Sequence, residues 1–289
     1  MPASAAVSFR SFETTTCGVN ALCITLIQVM ATANPAYSSP RSFGLSDIGK
    51  VRSSNQDALL ADDALGLWLV ADGMGGHRGG ATASNLARDV IRERIGQGDS
   101  LEAAILAAHD RIRQAQQEDP EVGDMGTTVV AVREHDERYE ICWVGDSRAY
   151  RYVEADGELA CLTEDHNVAS ILVASGALSP AEAAGHPQRH VLTECLGVTT
   201  GSGPRVGRVE GQWRRGDWLL LCSDGLNGEL SDERIGKTLG SAPDMAAAVR
   251  ELVGQSLAEG GRDNVSVLLV MAPSRIRGAR RWRWPFRRV

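Results

Sequence analysis

The 289-residue chain is predicted to be an α+β protein, with antiparallel strands layered against helices. Three observations carry that prediction. Between Thr127 and Thr163, the β-rich runs TTVVAVRE, RYEICWVGD, RAYRYVE and LACLT follow one another with only HDE, DS and ADG between them. Gaps this short hold no crossover helix, so the pairing is antiparallel. Helical patterns come in pairs on either side of this block, and short apolar runs such as LWLVA, DWLLLCS and VSVLLV have the length of buried strands.

In chain order, residues 1–40 are set apart as a poorly ordered extension. VNALCITLIQVMATA is apolar, but a secretory signal is disfavoured because Glu13 intervenes after Arg10 and no basic region opens the chain. A start at Met30 would account for the segment equally well. A single catalytic domain is expected over 41–272. In it, Leu67–Ala71 reads as a strand ending at Asp72, and residues 81–95 as a helix with Leu86, Val90 and Ile95 to one side. A second helix over 100–117 opens with Asp99 or Ser100 as its cap. Asp156-Gly157 marks a hairpin. Residues 167–185 hold short helical pieces broken by Gly and Pro. A strand over 217–223 ends beside Asp224, two helices follow, and Asp263 stands before a last buried strand. Residues 273–289 read as a disordered basic tail.

The net charge of −7 is unevenly spread. The last sixteen residues, SRIRGARRWRWPFRRV, hold seven Arg and no acid, which leaves −14 on the rest. An acidic body repels nucleic acid and attracts cations, so nucleic-acid binding is not expected. The tail interleaves Arg with Trp282, Trp284 and Phe286. That pattern suits weak contact with an anionic membrane surface, an acidic partner, or a solubilising end. No apolar run reaches the roughly 18 residues of a membrane span. The six cysteines form no CxxC pair and no zinc-finger spacing, and most read as small buried apolar residues in a reducing cytoplasm.

Four acids border apolar runs: Asp57 in NQDALL, Asp72 in LVADGMGG, Asp224 in LLLCSDGL and Asp263 in GGRDNVSVLLV. Any one Asp-Gly is most simply a turn. If the strands neighbour one another, the carboxylates converge. They then raise one another's pKa unless cations neutralise them. An oxygen-only donor set favours hard divalent ions, Mg2+ or Mn2+. Three rival motifs fail. GLSDIGKV, Gly44–Val51, approaches the phosphate loop GxxxxGK[ST] but has Val51 in place of the hydroxyl and no clear strand before it. DGMGGHRGG fits no GxGxxG frame, and GxSxG is absent.

SDIGKVRSSNQD (46–57), ADGMGGHRGG (71–80), GTT (126–128), WVGDSRAY (143–150), LTEDH (162–166), HVLTECLG (190–197), LLLCSDGL (219–226) and GGRDNVSVLLV (260–270) occur in one order. Over about residues 43–271 the chain resembles bacterial metal-dependent protein phosphatases of the protein phosphatase 2C family. The resemblance implies a four-layer αββα sandwich with two central antiparallel β-sheets flanked by helices. It implies that Asp72 bridges two metals with the Gly73 carbonyl as a further ligand, that Asp224 and Asp263 are terminal ligands, and that Asp57 holds the other metal largely through water. Asp146 resembles the ligand of a third, weaker ion, and Arg52 the phosphate-binding arginine. Two or three Mn2+ or Mg2+ ions and hydrolysis of phosphoserine or phosphothreonine without a phosphoenzyme follow as expectations. So does a cytoplasmic monomer acting on phosphorylated proteins, among them a Ser/Thr kinase or its substrates. A catalytically weak phosphoprotein-binding scaffold of the same fold is the alternative.

Glycines at 73, 75 and 76 are expected to clear space for metals and water. His77 is a candidate acid for the leaving alcohol, or else a loop-ordering side chain. His166 and His190 read as structural. Two departures from the family pattern stand out: Ala81 where Glu is usual, and Glu194-Cys195 where Arg-Ala is common. Residues 165–190 match the family's flap, from which no specificity is readable.

Overall fold

Among the described residues two six-stranded sheets form, and every pairing in them is antiparallel. The structure, a computed structural model, describes residues 27–30, 41–76, 78–119, 123–198 and 203–274. One sheet runs β1 (Ile27–Met30), β2 (Ser42–Asp47), β12 (Val265–Met271), β11 (Asp217–Cys222), β8 (Arg148–Val153), β9 (Glu158–Cys161). The other runs β10 (Gly207–Gln212), β7 (Arg138–Val144), β6 (Val129–His135), β4 (Leu67–Gly75), β3 (Asp57–Asp62), with β5 (Met125–Thr127) on the outer end of β4. Short loops between consecutive strands enforce this pattern, as the sequence spacing requires.

Three apolar layers hold four structural layers together. Between the sheets lie Leu59, Trp68, Val70, Val130, Ile141, Leu219, Leu221 and Leu268, among others. The strands are apolar on both faces because both are covered. Residues Leu67, Leu69 and Ala131 of the second sheet pack on α1 (Gly79–Gly96) and α2 (Leu101–Glu118) through Ala87, Ile91, Ile105 and Ile112. Residues Tyr152, Leu220 and Leu269 of the first sheet pack on α6 (Asp232–Ser241) and α7 (Met245–Glu259) through Ile235, Leu239, Val249 and Leu252. The layering is helix, sheet, sheet, helix. Among the described residues no helix is long and apolar enough to cross a membrane.

Helix starts follow side-chain capping. Ser100 accepts the Ala103 N–H at 3.2 Å, which selects it over Asp99 as the cap of α2, and Asp244 accepts the Ala247 N–H at 2.7 Å. The flap contains α3 (Val168–Ala174) and α4 (Pro180–Ala184), the latter opened by a Ser179/Glu182 capping box. A one-turn α5 (Asp224–Asn227) starts at the predicted acid.

Three features differ from the sequence reading. Ile27–Met30, inside the segment set apart as an extension, pairs with Ser46–Phe43 and extends the first sheet; the rest of residues 1–40 and the tail beyond Ser274 lie outside the described residues. A strand occupies Ser42–Asp47, where no clear strand was expected beside GLSDIGKV. It leads into a turn and then β3 rather than a helix, so a phosphate-loop context is still absent. Of the cysteines, Cys142 and Cys222 are buried, but Cys161 is exposed on the sheet edge; all three and Cys195 are free thiols.

Candidate metal centre

Strand register brings the first two acids together. Asp57 opens β3 and Asp72 lies in β4, and the two are direct cross-strand partners. Side chains on one rung share a face. Asp224 follows β11 and Asp263 precedes β12, strands that also pair, so these acids arrive at the same end of the neighbouring sheet. Asp146 enters from the turn between β7 and β8.

The carboxylates feel one another. Asp72 is raised well above the usual carboxylate range, by desolvation first and then by Asp57, Asp224, Asp146 and Asp263. Burial pushes Asp57 up to about 7 against the hydroxyls of Ser266 and Ser223, which hydrogen-bond its Oδ2 at 2.6 and 2.8 Å. Burial pushes Asp146 up to about 8, with Asp224 and Asp165 adding to the shift. Asp57 Oδ1 and Asp224 Oδ1 are buried with no hydrogen-bond partner. An unpartnered buried carboxylate oxygen is costly and calls for a cation.

The donor set therefore fits a hard divalent ion. As the side chains stand, no three acid, imidazole or thiolate groups among the described residues close on one point. Arg52 stands beside the acids: its Nη2 lies 2.5 Å from Asp263 Oδ2, and that hydrogen bond first, then Asp72 and Asp224, raise its guanidinium. The side chain is 55% exposed, so its outer face is open to solvent.

Backbone positioning is tighter than the sequence suggested. Gly73 donates its N–H to the Gln56 carbonyl, and a Cβ there would stand 2.1 Å from the Gly80 carbonyl oxygen. Bare backbone at Gly73 thus lets the loop pack on itself and does more than clear space for ligands. Gly76, by contrast, borders open space. The GTT motif grips Asp72 from the next strand: Thr128 N–H and Thr127 Oγ1 donate to the Asp72 carbonyl at 2.8 and 2.9 Å, and Asp72 N–H donates to Thr128 Oγ1 at 3.1 Å.

Asn264 went unremarked in the sequence beyond its motif. It is buried, accepts the Gln56 N–H at 2.7 Å, and donates to the carbonyls of Ile48 and Ser54 at 2.9 and 3.0 Å. One amide thereby ties the Arg52 loop to the start of β12. Asp47, at the end of β2, is another overlooked buried acid with an unpartnered oxygen. Its adjacency to the Asp263 turn follows from register and not from any local pattern.

The histidines separate. His166 is buried, accepts the Gly145 N–H at Nδ1 and stacks on Trp143, so it shapes the Asp146 turn; its pKa is lowered by burial. His190 stands at the mouth of the centre, its Nδ1 3.8 Å from Asp224 Oδ2, which places it nearer the acids than a purely structural reading anticipates. His77 lies outside the described residues.

A double sandwich carrying an oxygen-lined acid cluster where its strand ends converge defines an αββα metal-site protein. Residues 49–268 match the profile of the family described as Protein phosphatase 2C, and the chain belongs to that family. The Mycobacterium tuberculosis serine/threonine protein phosphatase PstP is 36% identical over 230 residues, covering 78% of this chain and 43% of that protein. This chain therefore spans less than half the length of its mycobacterial relative. A Streptococcus pyogenes putative protein phosphatase 2C-type is 36% identical over 238 residues, 78% of this chain and 94% of that one. Among solved structures, the PstP catalytic domain in complex with two manganese ions superimposes with TM-score 0.68 at 33% identity, covering 79% of this chain and 96% of that chain.

Proposed function

We propose that this protein is a Mn2+- or Mg2+-dependent phosphatase acting on phosphoserine and phosphothreonine in proteins. The observation that carries the reading is five acids, Asp57, Asp72, Asp146, Asp224 and Asp263, brought to one end of the sandwich beside one exposed guanidinium, with buried carboxylate oxygens unpartnered. Asp57, Asp72, the Gly73 carbonyl, Asp224 and Asp263 hold two ions, and Asp146 contributes to a third. Divalent ions held there would lower the pKa of bound water and so supply the nucleophile at neutral pH.

The chain's own groups do the rest. Thr127 and Thr128 fix the Asp72 backbone, Ser223 and Ser266 fix Asp57, and Asn264 fixes the loop that carries Arg52. Arg52, exposed beside Asp263, is placed to grip two phosphate oxygens through its fork. Positioning and charge stabilisation account for most of phosphoryl-transfer catalysis. His77 donates the proton to the leaving alcohol. The expected setting is the cytoplasm, with phosphoproteins of a Ser/Thr kinase system as substrates, and the working unit is a monomer comprising a catalytic domain over 41–272. The manganese of the relative supports the choice of ion.

Hydrolysis of p-nitrophenyl phosphate tests this reading. Turnover is expected with Mn2+ and is expected to vanish in EDTA; folded protein with no metal-dependent rate would refute it. Arg52→Ala is expected to raise KM for a phosphopeptide by roughly 10- to 100-fold, the loss of one charge-assisted bidentate contact worth about 1.5–3 kcal/mol. An unchanged KM would exclude Arg52 as the phosphate grip.

A further inference from the structure

The basic tail has a matching surface on its own domain. An open groove of about 430 Å3 runs between α6 and the β8–β9 hairpin. Leu159 is its half-buried apolar residue, while Tyr152 is buried beneath it, and Gly236 and Gly240 let α6 approach Leu159 and the Tyr152 hydroxyl closely. Asp232 and Glu233 line it, and Glu154, Asp156 and Glu158 stand exposed on the adjoining hairpin. Lys237 also lines the groove, but Glu233 holds its ammonium at 2.7 Å. Along one side runs β9, the last strand of its sheet, whose outer edge is unpaired among the described residues. Open edges of this kind accept an added extended segment.

The tail has the complementary pattern. Aromatic residues fall at 282, 284 and 286, and arginines at 281, 283 and 287. This two-residue alternation puts rings on one face of an extended segment and guanidinium groups on the other. Pro285 is tolerated in an edge strand.

The route is short. Met271 of β12 pairs with Trp218, Trp218 with Tyr152, and Tyr152 with Leu159, so the end of β12 and Leu159 share one rung. Three strand spacings amount to about 14 Å. Ala272 donates its N–H to the Asp217 carbonyl, which carries the β12–β11 ladder one residue past the strand end. The six residues 275–280 reach about 20 Å when extended.

We propose that residues 281–287 lie extended along the open edge of β9, with the rings of Trp282, Trp284 and Phe286 over Leu159 and the exposed end of α6 at Gly240, and with the arginines on the hairpin acids. The surface is thus an intramolecular docking site for an Arg/aromatic strand, on the outer face of the first sheet and away from the acid centre. The contact is electrostatic in part, so salt weakens it.

Hydrogen exchange on the full chain tests the proposal. The wild-type chain is compared with Arg281→Glu/Arg283→Glu and with Trp282→Ser/Trp284→Ser, changes that do not touch the domain core. Docking predicts that the β9 amides exchange about tenfold faster in both variants, since a short tether gives a high effective concentration. Glu158→Lys in the domain is expected to speed exchange similarly, and pairing it with Arg283→Glu to restore part of the protection. Equal exchange at β9 in all chains would overturn the proposal. That includes the case in which the wild-type chain alone sediments with phosphatidylglycerol vesicles, which would make the tail a membrane element instead.

Discussion

Asp72→Asn is expected to lower p-nitrophenyl phosphate turnover by more than about 10³-fold, because loss of groups that merely orient metal ligands already costs about 10–100-fold. Asp72 is the acid that every other member of the cluster influences: Asp57, Asp224, Asp146 and Asp263 all raise its pKa. A group that feels all four suits the proposed role of a ligand shared by two ions. The asparagine keeps the shape, and the backbone bonds to Thr127 and Thr128 do not involve the side chain, so the fold is retained. Isothermal titration with Mn2+ gives a readout independent of rate. The variant is expected to lose the tighter binding step, and Asp263→Asn to lose turnover with weaker but detectable binding. If Asp72→Asn retained wild-type turnover and Mn2+ affinity, Asp72 would not be the bridge.

The acids of this site were legible in the sequence because each one interrupts the boundary of an apolar run, where a buried strand reaches solvent. Asp57, Asp72, Asp224 and Asp263 all carry that signature. What local pattern cannot express is register. Nothing near Asp57 or Asp72 announces that they share a rung, and nothing in β2 announces that Asp47 comes to rest opposite Val265. The same limit hid Asn264, whose three partners lie more than 200 residues earlier. β10 was passed over for another reason. GRVEGQ is an edge strand with alternating exposure, and its glycines serve only to accept the rings of Trp143 and Tyr139 across the ladder. The strand thus depends on its neighbour for its apolar contacts. The sandwich itself was half legible: closely spaced β-runs dictate antiparallel pairing, while their division into two facing sheets came from the resemblance and is borne out by the fold.

The cluster also makes the metal-free protein sensitive to alkali. Burial pushes Asp57 and Asp146 up from the ordinary 3.8, to about 7 and about 8. Between those limits the folded state binds more protons than the unfolded chain, so stability falls as pH rises. In EDTA the melting temperature is therefore expected to decline from about pH 5 to pH 8, the window spanned by the raised pKa values. Mn2+ is expected to reverse that decline, because a cation replaces the lost protons and binds the folded state. Asp57→Asn isolates the cause. Its side-chain oxygen still accepts from Ser223 and Ser266, while an amide replaces the carboxylate oxygen that is now buried and unpartnered. The substitution removes one charge from the repelling group, so at pH 8 in EDTA the variant is expected to melt a few degrees above wild type. About 1 kcal/mol corresponds to roughly 2–4 °C for a domain of this size. The gain is expected to shrink near pH 5, where the wild-type carboxyl is itself protonated, and to reverse in Mn2+, where the wild-type acid contributes to binding. A flat wild-type melting curve across this pH range in EDTA, or a lower melting temperature for Asp57→Asn at pH 8, would show that the carboxylates are neutralised from within the protein. The salt bridge of Arg52 to Asp263 would then be the first place to look.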